Sequence, residues 1–488
     1  MTVYEKTADK GGILLVHPLG YAPEKADKDI SRKANIMPPL GLISIAAVLD
    51  QKGVPNKVID CHCLPDSLAL ILSYVKEYEP EFIGFSCTTS SFLDGVRTAE
   101  QVKEIKPDIG VVFGGPHVSA LRETLISRFK VIDYLVVGEG ETAIYELITS
   151  EKKKIPQIPG IVYRDDFGQA QFTGFRKKLI ELDSLPFPAY RKLPGYPKAY
   201  KLPIFNYPKV PNASLISSRG CPYACSYCDR SVFRRTFRYN SSEYLYAHME
   251  YMHKEFGIRH INFYDDQFTF NRKRIAAFCE LMIRKNPGMT FNCAARAEHL
   301  DLDLLKLMKA AGCWMISLGV ETGDPDLLAR HRQNPDLDML REKILLIKTA
   351  GIRVKALLMM GLPGESETSI RKSKKYVFSL PIDDFNLAKF TPFPGSPIYD
   401  QIKTPGSDLG RFDEDWEKMD CMDFIFIPKG MTKVRLDEQF IHFYKSHFTR
   451  PRVLAGYVSM AWKSPDSWRR MLQDLPDFLM FANKNKRM

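Results

Sequence analysis

The stretch Ser217-Ser218-Arg219-Gly220-Cys221-Pro222-Tyr223-Ala224-Cys225-Ser226-Tyr227-Cys228 constrains this chain more than any other. Three cysteines stand there in a Cys-x3-Cys-x2-Cys array. Thiolates are soft ligands that hold iron–sulfur clusters, and a cubane cluster needs ligation at each of its irons. Closely spaced cysteines without a further one at a matching interval leave one iron open to a substrate or cofactor. Zinc sites instead pair Cys-x2-Cys with a second such pair or with two histidines, and neither follows here. The turn residues Gly220 and Pro222 and the apolar run Ala213 to Ile216 place the array at a strand-to-loop junction, an unlikely home for accidental core thiols.

The array resembles the signature of the radical S-adenosylmethionine (SAM) enzymes, with aromatic Tyr227 just before its last cysteine. The resemblance implies that Cys221, Cys225 and Cys228 are metal ligands and bind three irons of a [4Fe–4S] cluster. SAM then chelates the remaining iron through its amino and carboxylate groups. One-electron reduction cleaves it to a 5′-deoxyadenosyl radical that abstracts hydrogen from an unactivated position. An external one-electron reductant of the flavodoxin or ferredoxin type is implied as partner.

At 488 residues the chain has length for several domains with real cores. Its 45% hydrophobic and 26% charged content is ordinary for a soluble globular protein. No uncharged apolar run is long enough to span a bilayer, and the N-terminus lacks a charged–apolar–small signal pattern. The other cysteines are mostly single, which argues for a reducing cytoplasm over a disulfide framework. The net charge of +11 permits an anionic substrate or peripheral membrane association, although a solvated basic face accounts for it. No nucleic-acid partner is expected.

Across residues 1–150 short apolar runs at Ile13, Val58, Phe82, Gly110 and Tyr134 alternate with helical segments. Continuous apolar strands with helical crossovers predict a parallel, doubly wound Rossmann-like sheet, with ligands beyond the carboxyl ends of the strands. At those ends stand Ser86-Cys87-Thr88-Thr89, Gly114-Gly115-Pro116-His117 and Gly138-Glu139-Gly140-Glu141. With Pro38-Pro39-Leu40-Gly41-Leu42 they resemble the cobalamin-binding domain found ahead of the radical SAM domain in one large subfamily. The resemblance implies bound cobalamin, its nucleotide tail near Ser86, Thr88, Gly114 and Gly115, with Thr89, His117, Gly138 and Glu139 alongside. Many such domains carry Asp-x-His-x-x-Gly after the first strand, whose histidine ligates cobalt from below. Here that loop reads His17-Pro18-Leu19-Gly20-Tyr21. Asp60-Cys61-His62 looks similar but follows the second strand, so it reads as coincidence.

Residues 151–212 read as a linker with a hairpin around Asp165-Asp166-Phe167-Gly168, rich in proline and aromatics towards Pro211. From 213 to 399 six βα units predict the open partial barrel of the radical SAM family, with its sites at the C-terminal mouth. Candidates at the strand ends are Asp265 and Asp266 for the SAM ammonium, Arg296 for its carboxylate and Glu321 for the ribose. Gly361 and Pro363, and Pro392, lie in loops that resemble adenine-contacting segments. The cluster loop also carries Arg230, Arg234, Arg235 and Arg238, which suit an anionic ligand and nearby carboxylates equally. Residues 400–488 form aromatic, basic helices that either pack on the barrel or cap substrate.

The reading is a cobalamin-dependent radical SAM methyltransferase that acts on an unactivated carbon of a hydrophobic or anionic small molecule, tetrapyrrole or lipid-like, through methylcobalamin. A cyclase or rearrangement enzyme without net methyl transfer is the alternative within the class. A methylthiotransferase would need a second cysteine triad, and a cobalamin or redox sensor would not cleave SAM.

Overall fold

The computed structural model describes residues 11–20 and 35–476. Residues 1–10, which read in sequence as a polar leader, and the end of the helical segment that the sequence suggests from Trp468 to Phe481 lie outside the described residues. The described residues fall into two compact units: 11–20, 38–199 and 231–233 form one, and 35–37, 200–230 and 234–476 form the other.

The first unit alternates β1 (Ile13–His17), α1 (Leu40–Gln51), β2 (Asn56–Asp60), α2 (Ser67–Tyr78), β3 (Phe82–Ser86), α3 (Phe92–Ile105) and β4 (Gly110–Gly114). Two short helices, α4 (Pro116–Leu121) and α5 (Glu123–Arg128), then lead to β5 (Tyr134–Val136) and α6 (Gly140–Thr149). Apolar runs such as Ile13-Leu14-Leu15-Val16 are buried because helices cover both sheet faces. The order β2-β1-β3-β4-β5 is all parallel and reverses between β1 and β3, which opens a ligand crevice beyond the carboxyl ends of those strands.

The expected linker makes a different contribution. Its hairpin, β6 (Ile161–Arg164) and β7 (Ala170–Phe172), extends this sheet antiparallel past β5. Asp165 builds the turn by accepting from the backbone N–H of Phe167 (3.0 Å) and Gln169 (2.9 Å). The hairpin covers what would otherwise be the open edge of β5.

The second unit is a six-stranded parallel sheet. Its strands are β8 (Asn212–Leu215), β11 (His260–Phe263), β12 (Thr290–Ala295), β13 (Cys313–Glu321), β14 (Arg353–Met360) and β15 (Asp384–Lys389), in sequential spatial order. A small ladder of β9 (Ser218–Arg219) and β10 (Arg238–Tyr239) brackets the cysteine loop. The crossovers are α7 (Ser242–Phe256), α8 (Arg272–Lys285), α9 (Leu302–Ala310), the pair α10 (Pro325–His331) and α11 (Leu337–Thr349), and α12 (Glu367–Ser379). Side-chain acceptors on Ser241, Asn271, Asp301, Asp324, Asp336 and Ser366 cap their helices, so each crossover starts at a defined residue. The sheet order is that of an open half-barrel.

Beyond α13 (Pro397–Lys403) a hairpin of β16 (Gly410–Phe412) and β17 (Phe426–Pro428) precedes the helices α14 (Lys433–Phe448), α15 (Pro451–Val458), α16 (Met460–Lys463) and α17 (Pro465–Gln473). Helix α14 lies along the edge strand β15. Lys389 pairs with Asp437 (2.9 Å) at the carboxyl end, while Phe385 packs on His447 (4.6 Å) at the amino end. Helices α15 to α17 then sit at the amino ends of the strands: Tyr457 donates to Asp384 (2.9 Å), and Ser467 accepts from the N–H of Phe205 (2.9 Å). These helices therefore lie away from the mouth, and only the start of α14 reaches it. The aromatic C-terminal helices are packing elements, because Phe443, Val453 and Met460 have core partners.

Candidate active site

The cysteine loop is fastened by neighbours that come from other strand ends. Ser226, between Cys225 and Cys228, donates its N–H to the carbonyl of His331 (2.9 Å) and accepts through its own carbonyl from Ile398 (2.9 Å). The N–H of Ala224 donates to the Gln333 side chain (2.9 Å). The ring of His331 lies between Ser226 Oγ (2.8 Å from Nδ1) and the carbonyl of Pro363 (2.8 Å from Nε2). A carbonyl only accepts, so Nε2 carries the proton and Nδ1 accepts from the serine hydroxyl. Burial lowers the pKa of this histidine, which favours that neutral bridge.

All three array cysteines are free thiols, Cys225 buried and the others half-buried. Burial, with the negative charge of Asp266 second, pushes the Cys228 thiol up to about 12 and raises that of Cys221 as well. Iron must therefore displace protons from thiols that the protein alone keeps neutral. Among the described residues no three Cys, His, Asp or Glu side chains converge as ligands of a single ion would. A cubane makes a different demand, with each thiolate on its own iron, and three thiols on one anchored loop supply that donor set.

The adjacent carboxylates after β11 have different surroundings. Asp265 is 2% exposed and accepts from Ser217 N–H (3.1 Å), Ser217 Oγ (2.8 Å) and Ser218 Oγ (2.5 Å), which binds the end of β11 to the end of β8. Behind it Arg274, also buried, donates to Ser217 Oγ (2.6 Å). Phe268 stacks on Phe263 (4.6 Å) and drives the loop back into the core, leaving Asp266 exposed on the side of the cysteines. Surrounding protein, and then the charge of Asp265, raises the Asp266 pKa.

Arg296 extends from the residue after β12 to the cluster loop. Its guanidinium lies 3.7 Å from the ring centre of Tyr223 and points Nη1 at Cys225 Sγ (3.9 Å). Nε and Nη2 donate to Glu298 (2.8 and 2.5 Å), and Nη2 also to the carbonyl of Gln333 (3.0 Å). Tyr223 Oη meets His299 Nε2 (2.8 Å). Glu321 ends β13 at a register shift with φ of 62°, a left-handed conformation that is costly for a residue with a side chain. Tyr227 donates to its carboxylate, burial raises its pKa, and Arg332, bonded to the Gly319 carbonyl, works against that rise. Gly361, Pro363 and Pro392 are all buried, and a Cβ on Gly361 would lie 3.1 Å from the Phe424 ring.

The structure thus gathers Asp266, Arg296, Tyr227 and Glu321 around the cysteines, and employs Asp265 in fastening strands. Glu298, His299, His331, Arg332 and Gln333 carry no motif; a charged helix end such as His331-Arg332-Gln333 reads in sequence as ordinary surface.

In the first unit the loop after β3 is a hydroxyl cluster. Ser91 Oγ accepts from Thr88 N–H (3.1 Å), and Thr88 Oγ1 lies 3.1 Å from Ser91 Oγ and 3.3 Å from Ser90 Oγ. Thr88 is exposed and Ser86 half-buried, whereas Thr89 is buried and pairs with the buried His117 (3.2 Å). Gly114 leaves room, since a Cβ there would meet nothing nearer than 3.7 Å. At Gly115, with φ of 104°, a Cβ would strike the Cys87 carbonyl at 2.5 Å, so this glycine serves the close approach of two strand ends. Gly138 donates its N–H to Ser119 Oγ (3.0 Å), and neighbouring Glu139 is half-buried. Exposed hydroxyls and an uncrowded glycine at a switch point fit the tail of a bulky planar cofactor.

A family model for the radical SAM superfamily matches residues 215–377, and one for the B12-binding domain matches residues 30–148. The chain is 26% identical over 420 residues to an uncharacterized methyltransferase of Pyrococcus horikoshii, covering 86% of this chain and 89% of that one. It is 25% identical over 419 residues to the anaerobic magnesium-protoporphyrin IX monomethyl ester cyclase of Rubrivivax gelatinosus, covering 84% and 74%. Among solved structures, the radical SAM methyltransferase TsrM from Kitasatospora setae, with cobalamin and a [4Fe–4S] cluster bound, superposes with a TM-score of 0.62 at 19% identity, covering 80% of this chain and 78% of that one. Among the described residues no helix is long and apolar enough to cross a membrane.

Proposed function

We propose that this chain, a cobalamin-dependent radical SAM enzyme, transfers a methyl group to an unactivated carbon of a large apolar or anionic small molecule. One observation carries the reading: an anchored cysteine triad with a carboxylate and a guanidinium beside it, in a chain that also bears a B12-binding domain. When bound, the cluster and cobalamin supply reductive cleavage of SAM and a methyl carrier.

The residues of the chain bind and orient. Asp266 receives the SAM ammonium, since it is the exposed carboxylate facing Cys221 and Cys228. Arg296 holds a positive charge beside Cys225, and its Nη1 reaches the SAM carboxylate. Glu321, pre-set by its strained backbone, takes the ribose hydroxyls, and the loops of Gly361, Pro363 and Pro392 offer backbone groups to the adenine. Ser86, Thr88 and Gly114 receive the cobalamin tail. The substrate class follows the cyclase relative, whose named protoporphyrin is a large, flat and largely apolar small molecule. A one-electron donor of the flavodoxin or ferredoxin type completes the system.

The test uses anaerobically reconstituted protein with SAM, hydroxocobalamin and a strong reductant, scanned against tetrapyrroles and apolar anions. The expected result is 5′-deoxyadenosine together with S-adenosylhomocysteine and a product heavier by one methyl group. Deoxyadenosine and altered product without homocysteine would replace methyl transfer by cyclisation. Neither nucleoside product from fully loaded enzyme across the scan would sink the reading.

A further inference from the structure

The loop after β1 lacks the motif that brings a histidine and its carboxylate together within a single turn, yet the fold assembles such a pair from two strands. His17 is the last residue of β1 and Asp60 the last of β2, and parallel pairing sets them opposite one another. The Nδ1 of His17 lies 2.9 Å from Asp60 Oδ1. The same oxygen accepts from the N–H of His62 (3.1 Å), and Asp60 is wholly buried. A carboxylate only accepts, so Nδ1 carries the ring proton and the lone pair of the neutral imidazole is at Nε2. The ring of His62 packs at 4.6 Å against that of His17 and restrains its rotation. Among the described residues Nε2 makes no hydrogen bond, and the His17 side chain is 19% exposed above a carboxylate at 0%.

A histidine turned by a buried carboxylate on one nitrogen, with the other directed outwards, is the arrangement by which proteins prepare an imidazole for a metal. Its location adds the second argument. The strand order reverses between β1 and β3, so the crevice that receives the cofactor lies beyond the residue that His17 occupies. We infer that His17, through Nε2, is the lower axial ligand of the cobalamin cobalt, with Asp60 as its positioning residue. This rests on cobalamin being the cofactor and not on methyl transfer, so it holds equally for a cyclase.

The experiment is electron paramagnetic resonance of the full chain loaded with cob(II)alamin, with occupancy checked by the visible spectrum. In natural-abundance protein the cobalt lines carry 14N superhyperfine splitting. In protein grown on 15N-histidine the splitting pattern changes to that of 15N, which needs no variant and so no assumption about folding. His17→Ala abolishes the histidine splitting and His62→Ala retains it. Loaded protein without nitrogen splitting, splitting insensitive to the histidine label, or splitting that survives in His17→Ala would each overturn the assignment.

Discussion

Replacing Asp265 by alanine separates a carboxylate that holds strands from one that meets a ligand. The side chain is 2% exposed and is the acceptor for Ser217 N–H, Ser217 Oγ and Ser218 Oγ, with the buried Arg274 as the cation behind them. Each buried donor left without an acceptor costs about 1–3 kcal/mol. These donors share one side chain and their costs do not add in full, so Asp265→Ala destabilises the second unit by roughly 3–5 kcal/mol. Asp265→Asn, which keeps an acceptor oxygen, costs less. Asp266 is exposed, and Asp266→Ala stays within about 1 kcal/mol of the parent while losing affinity for SAM. The four tryptophans, Trp314, Trp416, Trp462 and Trp468, all belong to the second unit, so their fluorescence in a urea titration follows that unit alone. Asp265→Ala with the parent's unfolding midpoint would refute the assignment of Asp265 to structure, and SAM binding untouched in Asp266→Ala would refute its companion.

Three more outcomes follow from the site. Because Glu321 sits at φ of 62°, Glu321→Gly should be more stable than Glu321→Ala by about 1 kcal/mol, although both lose the Tyr227 and Arg332 contacts; equal unfolding midpoints would show that the backbone is unstrained. Burial raises the Glu365 pKa to about 8, so folding takes up a proton. Its contribution is fully present below the unfolded value of about 4.3 and is lost as pH rises through the folded one. Parent protein should therefore gain stability over Glu365→Gln, by a few kcal/mol at most, as pH falls across that window; a constant difference would contradict the shift. Arg296→Met removes a positive N–H donor beside Cys225 and should make the reconstituted cluster harder to reduce, with its potential read by a spectroscopic redox titration.

Much of this architecture was legible in the sequence because parallel strands covered on both faces are written as continuous apolar runs. Ile13-Leu14-Leu15-Val16 and Ile83-Gly84-Phe85 could scarcely be anything else, and the cysteine spacing pointed directly to iron–sulfur chemistry. What sequence could not give was mutual orientation. Asp265 and Asp266 are adjacent carboxylates, and only the anchoring of Phe268 determines which one turns inward. The hairpin at Asp165 could be read, but not the sheet it would extend. Asp60 looked accidental, because its partner His17 lies 43 residues earlier and meets it only through the register of two strands. Of the two roles open to the C-terminal helices the structure shows packing, as a floor: Tyr457 and Trp468 meet Phe205, and Tyr457 donates to Asp384, at the amino ends of the strands.

That floor has a consequence for synthesis on the ribosome. The segment leading into β8 is secured by α17: Tyr207 donates to Asp466 (2.9 Å), Arg470 donates to the Leu202 carbonyl (2.8 Å), and Phe205 waits for Ser467, 262 residues downstream. At roughly 5–20 residues per second the interval between the emergence of these partners is about 13–50 s. For most of that time the first strand of the half-barrel has its one sheet neighbour, β11, but not its fastening. Nascent chains stalled before α17 should therefore remain open to proteases at residues 202–207 long after the first unit has become resistant.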